Sequence, residues 1–350
     1  MPTLFPQYFE KMPIHPSLVW SISQCSEFKG LQDLWRKTKP ELISEMRKSA
    51  MVQSVESSNR IEGVEIEKSR MRPLVLGRAR AQNRSEEEIV GYRKALVWIY
   101  ENYQKETLTP KVIQKIHLLA QGGMIFDAGE WKSKDNEIIE FNDRGDRRVR
   151  FRCTTAKETP KAIADLCSNY QAMMEKPQVP DLLVVGCFVF DFLCIRPFRD
   201  GNGRVSRLLT LLCLLQCGYF VGRFISLERL IEDSKERYYE TLGLSSQSWH
   251  ESRHDMFPWL SFFMNHLRTA YQELRDRVEL SQSYEDTKSE LIRGLISEMQ
   301  DTFAISDILK IQPGLDREIV KKNLQKMKEK KEIRLLGSGR GARWKKIKST

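Results

Sequence analysis

The chain has 350 residues, 57 Lys and Arg against 47 Asp and Glu, a formal charge of +10 and a pI near 9.2. With 41% hydrophobic and 30% charged residues, it can bury a sizeable core beneath a solvated surface, which excludes disordered and fibrous classes. The whole charge excess lies between Val320 and Thr350, where twelve basic residues meet two acidic ones, so the 319 residues before it are formally neutral.

No apolar run reaches the roughly 18 residues that a bilayer span needs. Leu182 to Ile195 and Leu208 to Cys217 are the most apolar, and Asp191 interrupts the first. The first twelve residues hold no basic stretch followed by an apolar one, so no secretory signal is expected. Seven scattered cysteines without a CxxC pair, four of them in apolar helical runs, read as reduced thiols. The expectation is a cytoplasmic, bacterial-type protein of roughly two domains with no membrane partner.

Along the chain the apolar period is mostly helical. Leu31, Leu34, Trp35, Leu42, Ile43, Met46, Ala50 and Met51 recur at three and four spacings, with Pro40 separating two helices. Glu86 to Tyr103 repeats the pattern, and Thr109-Pro110 opens a further helix as N-cap and first residue. NEIIEF and RRVRFR, between Asn136 and Arg152, alternate around the turn 142–146 and read as a charged, exposed β-hairpin. Thr159-Pro160 restarts the helices, and Pro177 with Pro180 marks a loop.

A polar stretch from Ser281 to Ser289 is expected to separate this body from a C-terminal unit. That unit reads as a helix from Ser289 to Met299, a short helix after Ser306-Asp307, and a longer helix capped by Asp316. Two extended segments, Glu332 to Leu336 and Arg343 to Ile347, then flank a GSGRG turn. Helix, helix, longer helix and β-wing predict a winged helix-turn-helix. Arg317, Lys321, Lys322, Lys326 and Lys328 stand on its longer helix.

The chemistry concentrates between the two most apolar helices, in Arg196-Pro-Phe-Arg-Asp-Gly-Asn-Gly-Arg-Val-Ser-Arg207. A helix starting near Asn202 presents free backbone N–H groups and a positive dipole end, and Gly201 and Gly203 let an anion approach closely. Arg204 and Arg207, three apart, can fork onto phosphate oxygens. Asp200 is a hard oxygen ligand suited to a Mg²⁺ held mainly by phosphates and water. These residues together predict a polyphosphate·Mg²⁺ cradle; the bland alternative is a capped helix start with solvated arginines.

This segment resembles the Fic (Fido) family motif HxFx[DE]GNGRxxR, matching at Phe198, Asp200, Gly201, Asn202, Gly203, Arg204 and Arg207. DFLC before it, LLTLLCLLQCGYFVGRFISLE and SKERYYETL after it, and the KDNEII hairpin extend the resemblance over roughly residues 30 to 270. It implies a mainly α, Fic/Fido helical core with a β-hairpin flap, followed here by the winged helix-turn-helix. It further implies that the protein binds ATP and Mg²⁺ and transfers AMP to a Ser, Thr or Tyr hydroxyl of a target protein docked on the flap, 136–152. Tyr238 and Tyr239 fall where the family lines its adenine pocket; core aromatics are the competing reading.

The sequence departs from the motif at its first residue, a His that acts in the family as general base and is Arg196 here. A guanidinium with a pKa above roughly 12 cannot accept that proton, and losing a positioned base costs about 10²- to 10⁴-fold. Natural inactivation, altered chemistry and an introduced substitution all stay open. Upstream, Ser58-Asn-Arg-Ile-Glu62-Gly63 resembles the family's inhibitory motif [ST]xxxE[GN]. Ser58 and Glu62 share a helical face and Gly63 suits the helix stop. By resemblance, Glu62 pairs with Arg207 and holds ATP in an unproductive pose.

The implied organisation is an N-terminal helical region with the inhibitory helix at 1–107, a Fido core at 108–275 and a winged helix at 286–350. The leading function is a self-inhibited protein adenylyltransferase scaffold lacking its base. The rival is a nucleotide-binding pseudoenzyme that regulates by contacting DNA, with self-dimerisation as the other use of 286–350. His250-Glu-Ser-Arg-His254 matches the zinc pattern HExxH, but that pattern needs both His on one helical face, and Asp255 with Pro258 predicts a helix that starts only afterwards.

Overall fold

The computed structural model describes residues 3–122, 126–141, 147–175, 179–337 and 342–347, and it divides into compact units spanning 1–275 and 276–350. The expected turns at 142–146 and 338–341, with Arg340, lie outside the described residues, as do Pro177 and Lys348.

In the first unit the helices run Pro6–Phe9 (α1), Pro16–Thr38 (α2), Pro40–Ile61 (α3), Lys68–Val75 (α4), Arg84–Asn102 (α5) and Pro110–Ala120 (α6). The hairpin Glu137–Phe141 (β1) and Arg147–Arg152 (β2) follows, then Thr159–Met174 (α7), Asp181–Ile195 (α8), Asn202–Gln216 (α9), Leu227–Asp233 (α10) and Lys235–Ser245 (α11). Phe257–Glu298 (α12) begins in this unit and continues into the next. The starts are written locally. Pro16, Pro40 and Pro110 stand in first turns, where a missing N–H costs nothing. Thr109 Oγ1 and Asn83 Oδ1 accept the N–H groups of Val112 and Glu86 at 3.4 and 2.9 Å.

The core is organised around α8, which is buried on every side from Leu182 to Ile195, as an all-round apolar helix must be. It packs between α7 and α9, while α9 also meets α5 and α6, and α3 packs on α5 and α10. Asp191, which interrupts the apolar run of α8, is satisfied rather than exposed. It accepts the N–H and hydroxyl of Thr3, the N–H of Leu4 and the indole N–H of Trp249. Burial nonetheless lifts its carboxyl to about 6. The hairpin pairs antiparallel from Glu137 with Arg152 to Phe141 with Arg147, and a register shift falls between Ile138 and Ile139.

In the second unit the remainder of α12 is followed by Thr302–Phe303 (β3), Ile305–Ile311 (α13), Arg317–Glu329 (α14), Ile333–Leu336 (β4) and Arg343–Lys346 (β5), with sheet order β3-β5-β4. Ile292, Phe303, Ile308, Val320, Leu324 and Trp344 belong to its own core. Three details differ from the sequence expectation. The stretch 281–289 is helical within α12, as a run without Gly or Pro permits. Ser306 and Asp307 lie inside the first turn of α13, where Asp307 accepts the N–H of Ala304 at 2.9 Å. The two-residue β3 is too short to leave a periodic signal. Among the described residues no helix is long and apolar enough to cross a membrane.

Candidate nucleotide site

The end of α8 and the start of α9 form a tight corner that the motif residues close on themselves. Arg196 is the C-cap of α8 in the left-handed region, φ 45°, unusual for a residue with a Cβ. Asn202 then grips Phe198, accepting its N–H at 3.0 Å and donating to its carbonyl at 2.7 Å. Asp200 Oδ1 accepts the N–H of Gly201 at 2.7 Å, and Gly201, at φ 77°, is the N-cap of α9.

Two supports from elsewhere hold this corner. His117 stacks on Phe198 with ring centres 3.7 Å apart. Its Nδ1 accepts the N–H of Gly129 at 2.8 Å, which leaves Nε2 protonated to donate to the Asp200 carbonyl at 3.1 Å. Burial pushes the His117 pKa down to about 4, so the ring stays neutral and keeps that tautomer. Lys132 holds the other half: its Nζ donates to the Ile195 carbonyl at 3.0 Å and to Asn136 at 2.8 Å, and its N–H donates to the Pro197 carbonyl at 2.8 Å. Burial pushes the Lys132 ammonium down to about 8. Neither residue carries a recognisable signal in the sequence, because each contacts backbone carbonyls that any residue supplies.

The two motif arginines go to different places. Arg204 does not line the cavity at this corner. It is buried and turned toward α5, where Nη1 donates to Glu88 at 2.5 Å, while Nη2 donates to Gln121 at 3.3 Å. The expected forking of both arginines toward one phosphate position is therefore corrected: an arginine three residues from its neighbour on a helix points about 60° away, and here a buried carboxylate captures it.

Arg207 does line the cavity, and the end of α3 holds it. Its Nε donates to Ser58 Oγ at 2.8 Å, and its Nη2 donates to the Ser58 carbonyl at 2.9 Å and to Glu62 Oε1 at 2.8 Å. Burial works against the guanidinium's charge, but Glu62 outweighs it and the Arg207 pKa is raised. Glu62 itself is held in place by the helix stop. The N–H groups of Gly63 and Val64 return to the carbonyls of Arg60 and Asn59, and Gly63 takes φ 80°, the C-terminal arrangement that favours glycine. Lys235 adds a bond to the Ile61 carbonyl at 2.8 Å. Gly63 shapes this turn and does not line the cavity.

Glu62 Oε1 lies so close to the first turn of α9 that a Cβ on Gly203 would come within 2.2 Å of it. A carboxylate from α3 thus sits against the helix N-terminus, where the dipole and free N–H groups favour an anion.

The cavity in front of this corner measures about 270 Å³. Asp200, Gly201, Asn202 and Gly203 line it together with Tyr238 and Tyr239 of α11 and Ile138 and Ile139 of the hairpin. The register shift at Ile138/Ile139 lets consecutive residues reach the same space. Tyr238 is buried among Trp259 and Phe262, and burial pushes its phenol up to about 12; Tyr239 is half-buried. Tyr238 thus packs in the core and also borders the cavity. Asp200 is exposed, with one carboxylate oxygen engaged by Gly201, a donor set that fits a Mg²⁺ shared with phosphate oxygens.

The HExxH stretch is not helical. His250 stacks on Phe151 and contacts the Arg152 carbonyl, whereas His254 stacks on Tyr8 and contacts Thr3.

The family described as Fic/DOC matches residues 107–214. The match runs from just before α6 into α9. A Fic family protein from Desulfovibrio desulfuricans G20 is similar over 97% of this chain and 98% of its own, at 20% identity and a TM-score of 0.61. A Fic domain containing signaling protein from Bacteroides thetaiotaomicron VPI-5482 covers 74% of this chain and 98% of its own, at 18% identity and a TM-score of 0.60. Fic-1 from C. elegans covers 75% and 74%, at 16% identity and a TM-score of 0.56. The mainly helical Fic fold is shared with all three.

Proposed function

We propose that the cavity at the head of α9 binds ATP with Mg²⁺, and that the protein is a self-inhibited adenylyltransferase scaffold. The Fic/DOC match supports transfer of a nucleotide-derived group to proteins as the general activity. The observation that carries the finer reading is the Arg207–Glu62–Ser58 cluster set against Gly203. In this reading the first-turn N–H groups of α9 and a released Arg207 hold phosphate oxygens, and Asp200 holds Mg²⁺, which supplies charge neutralisation when bound. Glu62 keeps Arg207 occupied and places its own negative charge beside Gly203, so phosphate and carboxylate compete for the same donors. His117 and Lys132 position the corner without touching substrate. Arg196 cannot remove a proton from an acceptor hydroxyl.

The test is labelling of lysate proteins from α-labelled ATP. Arg196→His combined with Glu62→Gly is expected to gain transfer by about 10²-fold or more over the unaltered chain. No gain, in a lysate that contains a target for another active Fic domain, would remove the assignment.

A second reading concerns the second unit. α14 buries Val320, Leu324 and Met327 and exposes Arg317, Lys321, Lys322, Lys326 and Lys328 to differing degrees, and its start is capped by Asp316 at 2.7 Å from the Glu318 nitrogen. With β4 and β5 antiparallel beside it, this supports a winged helix over 286–350 that contacts DNA phosphates. Self-dimerisation through the same segment is the competing use. The N-terminal inhibitory region 1–107 and the Fido core 108–275 complete the proposed organisation.

A further inference from the structure

Two guanidiniums in the cavity have nothing to do. Arg196, at the end of α8, and Arg150, on β2, both line it. Among the described residues neither guanidinium makes a hydrogen bond or ion pair, and the Nε of Arg150 is buried without a partner. The third lining arginine, Arg207, is occupied by Ser58 and Glu62. Of the lining carboxylates, Glu62 is therefore spent, and Asp200 is tied to Gly201 at the α9 side of the corner.

Arg150 and Arg196 act on common ground. Burial raises the phenol of Tyr239 and Glu62 adds to the rise, while Arg207, Arg196 and Arg150 each pull it back. Like charges converging on one half-buried space repel one another, and an anion between them removes that cost. Guanidiniums are also the side chains best matched to a phosphate fork.

Resting on the nucleotide-site reading above, we propose that the acceptor in this site is a phosphate monoester, held between Arg150 and Arg196, in place of a neutral hydroxyl. The chemistry removes the difficulty posed by Arg196. A hydroxyl must lose a proton to become a nucleophile, and no base stands at this position. A phosphate monoester has a second pKa of about 6, so at neutral pH it carries unprotonated oxygens already. One of these oxygens bonds to the α-phosphorus of the nucleoside triphosphate as the bridging P–O bond between the α- and β-phosphates breaks. The bond's electron pair leaves on pyrophosphate. No proton moves, and the product is a diphosphate that joins the acceptor to the nucleoside monophosphate. Arg150 and Arg196 bind and orient the monoester and offset the repulsion between two anions.

The monoester can come from a phosphorylated side chain of a protein or from a free small molecule. Calorimetry on the full chain with O-phosphoserine, a phosphoserine peptide and unphosphorylated serine separates these sources, with and without a saturating non-hydrolysable ATP analogue and Mg²⁺. The expected result is that phosphoserine binds both alone and alongside the analogue, that serine does not, and that Arg150→Gln and Arg196→Gln each weaken phosphoserine by about tenfold or more. A tighter peptide identifies a phosphoprotein, and equal affinities a small monoester. In the Glu62→Gly chain given MgATP and phosphoserine, ³¹P resonance is expected to show a new pair of coupled diphosphate signals.

The proposal is overturned if phosphoserine binds no better than serine. It is equally overturned if phosphoserine and the analogue exclude each other one for one, because the two arginines then serve the nucleotide's own phosphates. In both cases the analogue still binds and the nucleotide-site reading stands. Failure of the analogue to bind the Glu62→Gly chain, where no carboxylate competes, would instead remove that reading. A melting curve on each variant separates lost affinity from lost fold, and Arg196→Lys, which keeps the charge, is expected to recover part of the phosphoserine affinity.

Discussion

The head of α9 and the face of α14 are both rich in positive charge, yet they use it in opposite ways. At α9 the arginines are buried and paired: Arg204 with Glu88, and Arg207 with Glu62, each guanidinium side chain only 3% exposed. On α14 the lysines reach solvent, and the pairing of Lys321 with Glu318 is a surface contact between neighbours on the helix. The chain's +10 therefore describes α14 and its surroundings, whereas the chemistry lies in a formally neutral body. Net charge locates where a protein can meet a polyanion; buried, partnered charge locates where it can orient one.

Substitutions break this contrast in order of size. Arg204→Ala leaves Glu88 buried without its main partner and is expected to cost about 3 kcal/mol in urea unfolding, while replacing both partners with apolar residues of similar volume costs much less. A cost below about 0.5 kcal/mol for the single change would mean that the α9 charges are as dispensable as surface ones.

Acid supplies the next test. Burial pushes the His254 pKa down to about 4, below its value of about 6.5 in an unfolded chain. The unfolded state then binds the proton first, so the stabilisation from keeping His254 neutral is present above about pH 6.5 and is lost as pH falls toward 4. Lowering pH from about 7 to about 5 is expected to remove on the order of 1–2 kcal/mol from this group, and His254→Gln is expected to flatten the profile across that window. An identical profile in the variant would place the acid sensitivity elsewhere.

The α14 lysines sit at the small end for stability. Lys322→Ala is expected to change unfolding by less than about 0.5 kcal/mol, yet to lower the salt slope of DNA binding by about one. DNA binding that is absent, or independent of salt, would leave the exposed charge as a solvated surface.

The site is legible in the sequence where function depends on residue type and spacing. Asn202, Gly203 and Gly63 each have a role that few other side chains or backbones could fill, and Ser58 and Glu62 stand one helical turn apart, so both reach Arg207. What depends on tertiary direction stays concealed. Arg204 and Arg207 look equivalent as letters, but only packing against α5 reveals that Glu88 takes the first. Lys132 and His117 act on carbonyl oxygens, which carry no sequence signature. The stretch 281–289 misleads because its polar composition resembles a linker, although nothing in it prevents a helix.

The central claim is that Arg207, once freed from Glu62, serves a bound phosphate. Titration of MgATP by calorimetry into the Glu62→Gly chain, with and without Arg207→Ala, tests it directly. The expected result is binding by the first and an affinity lower by about tenfold or more in the second. Equal affinities in the two chains would contradict it.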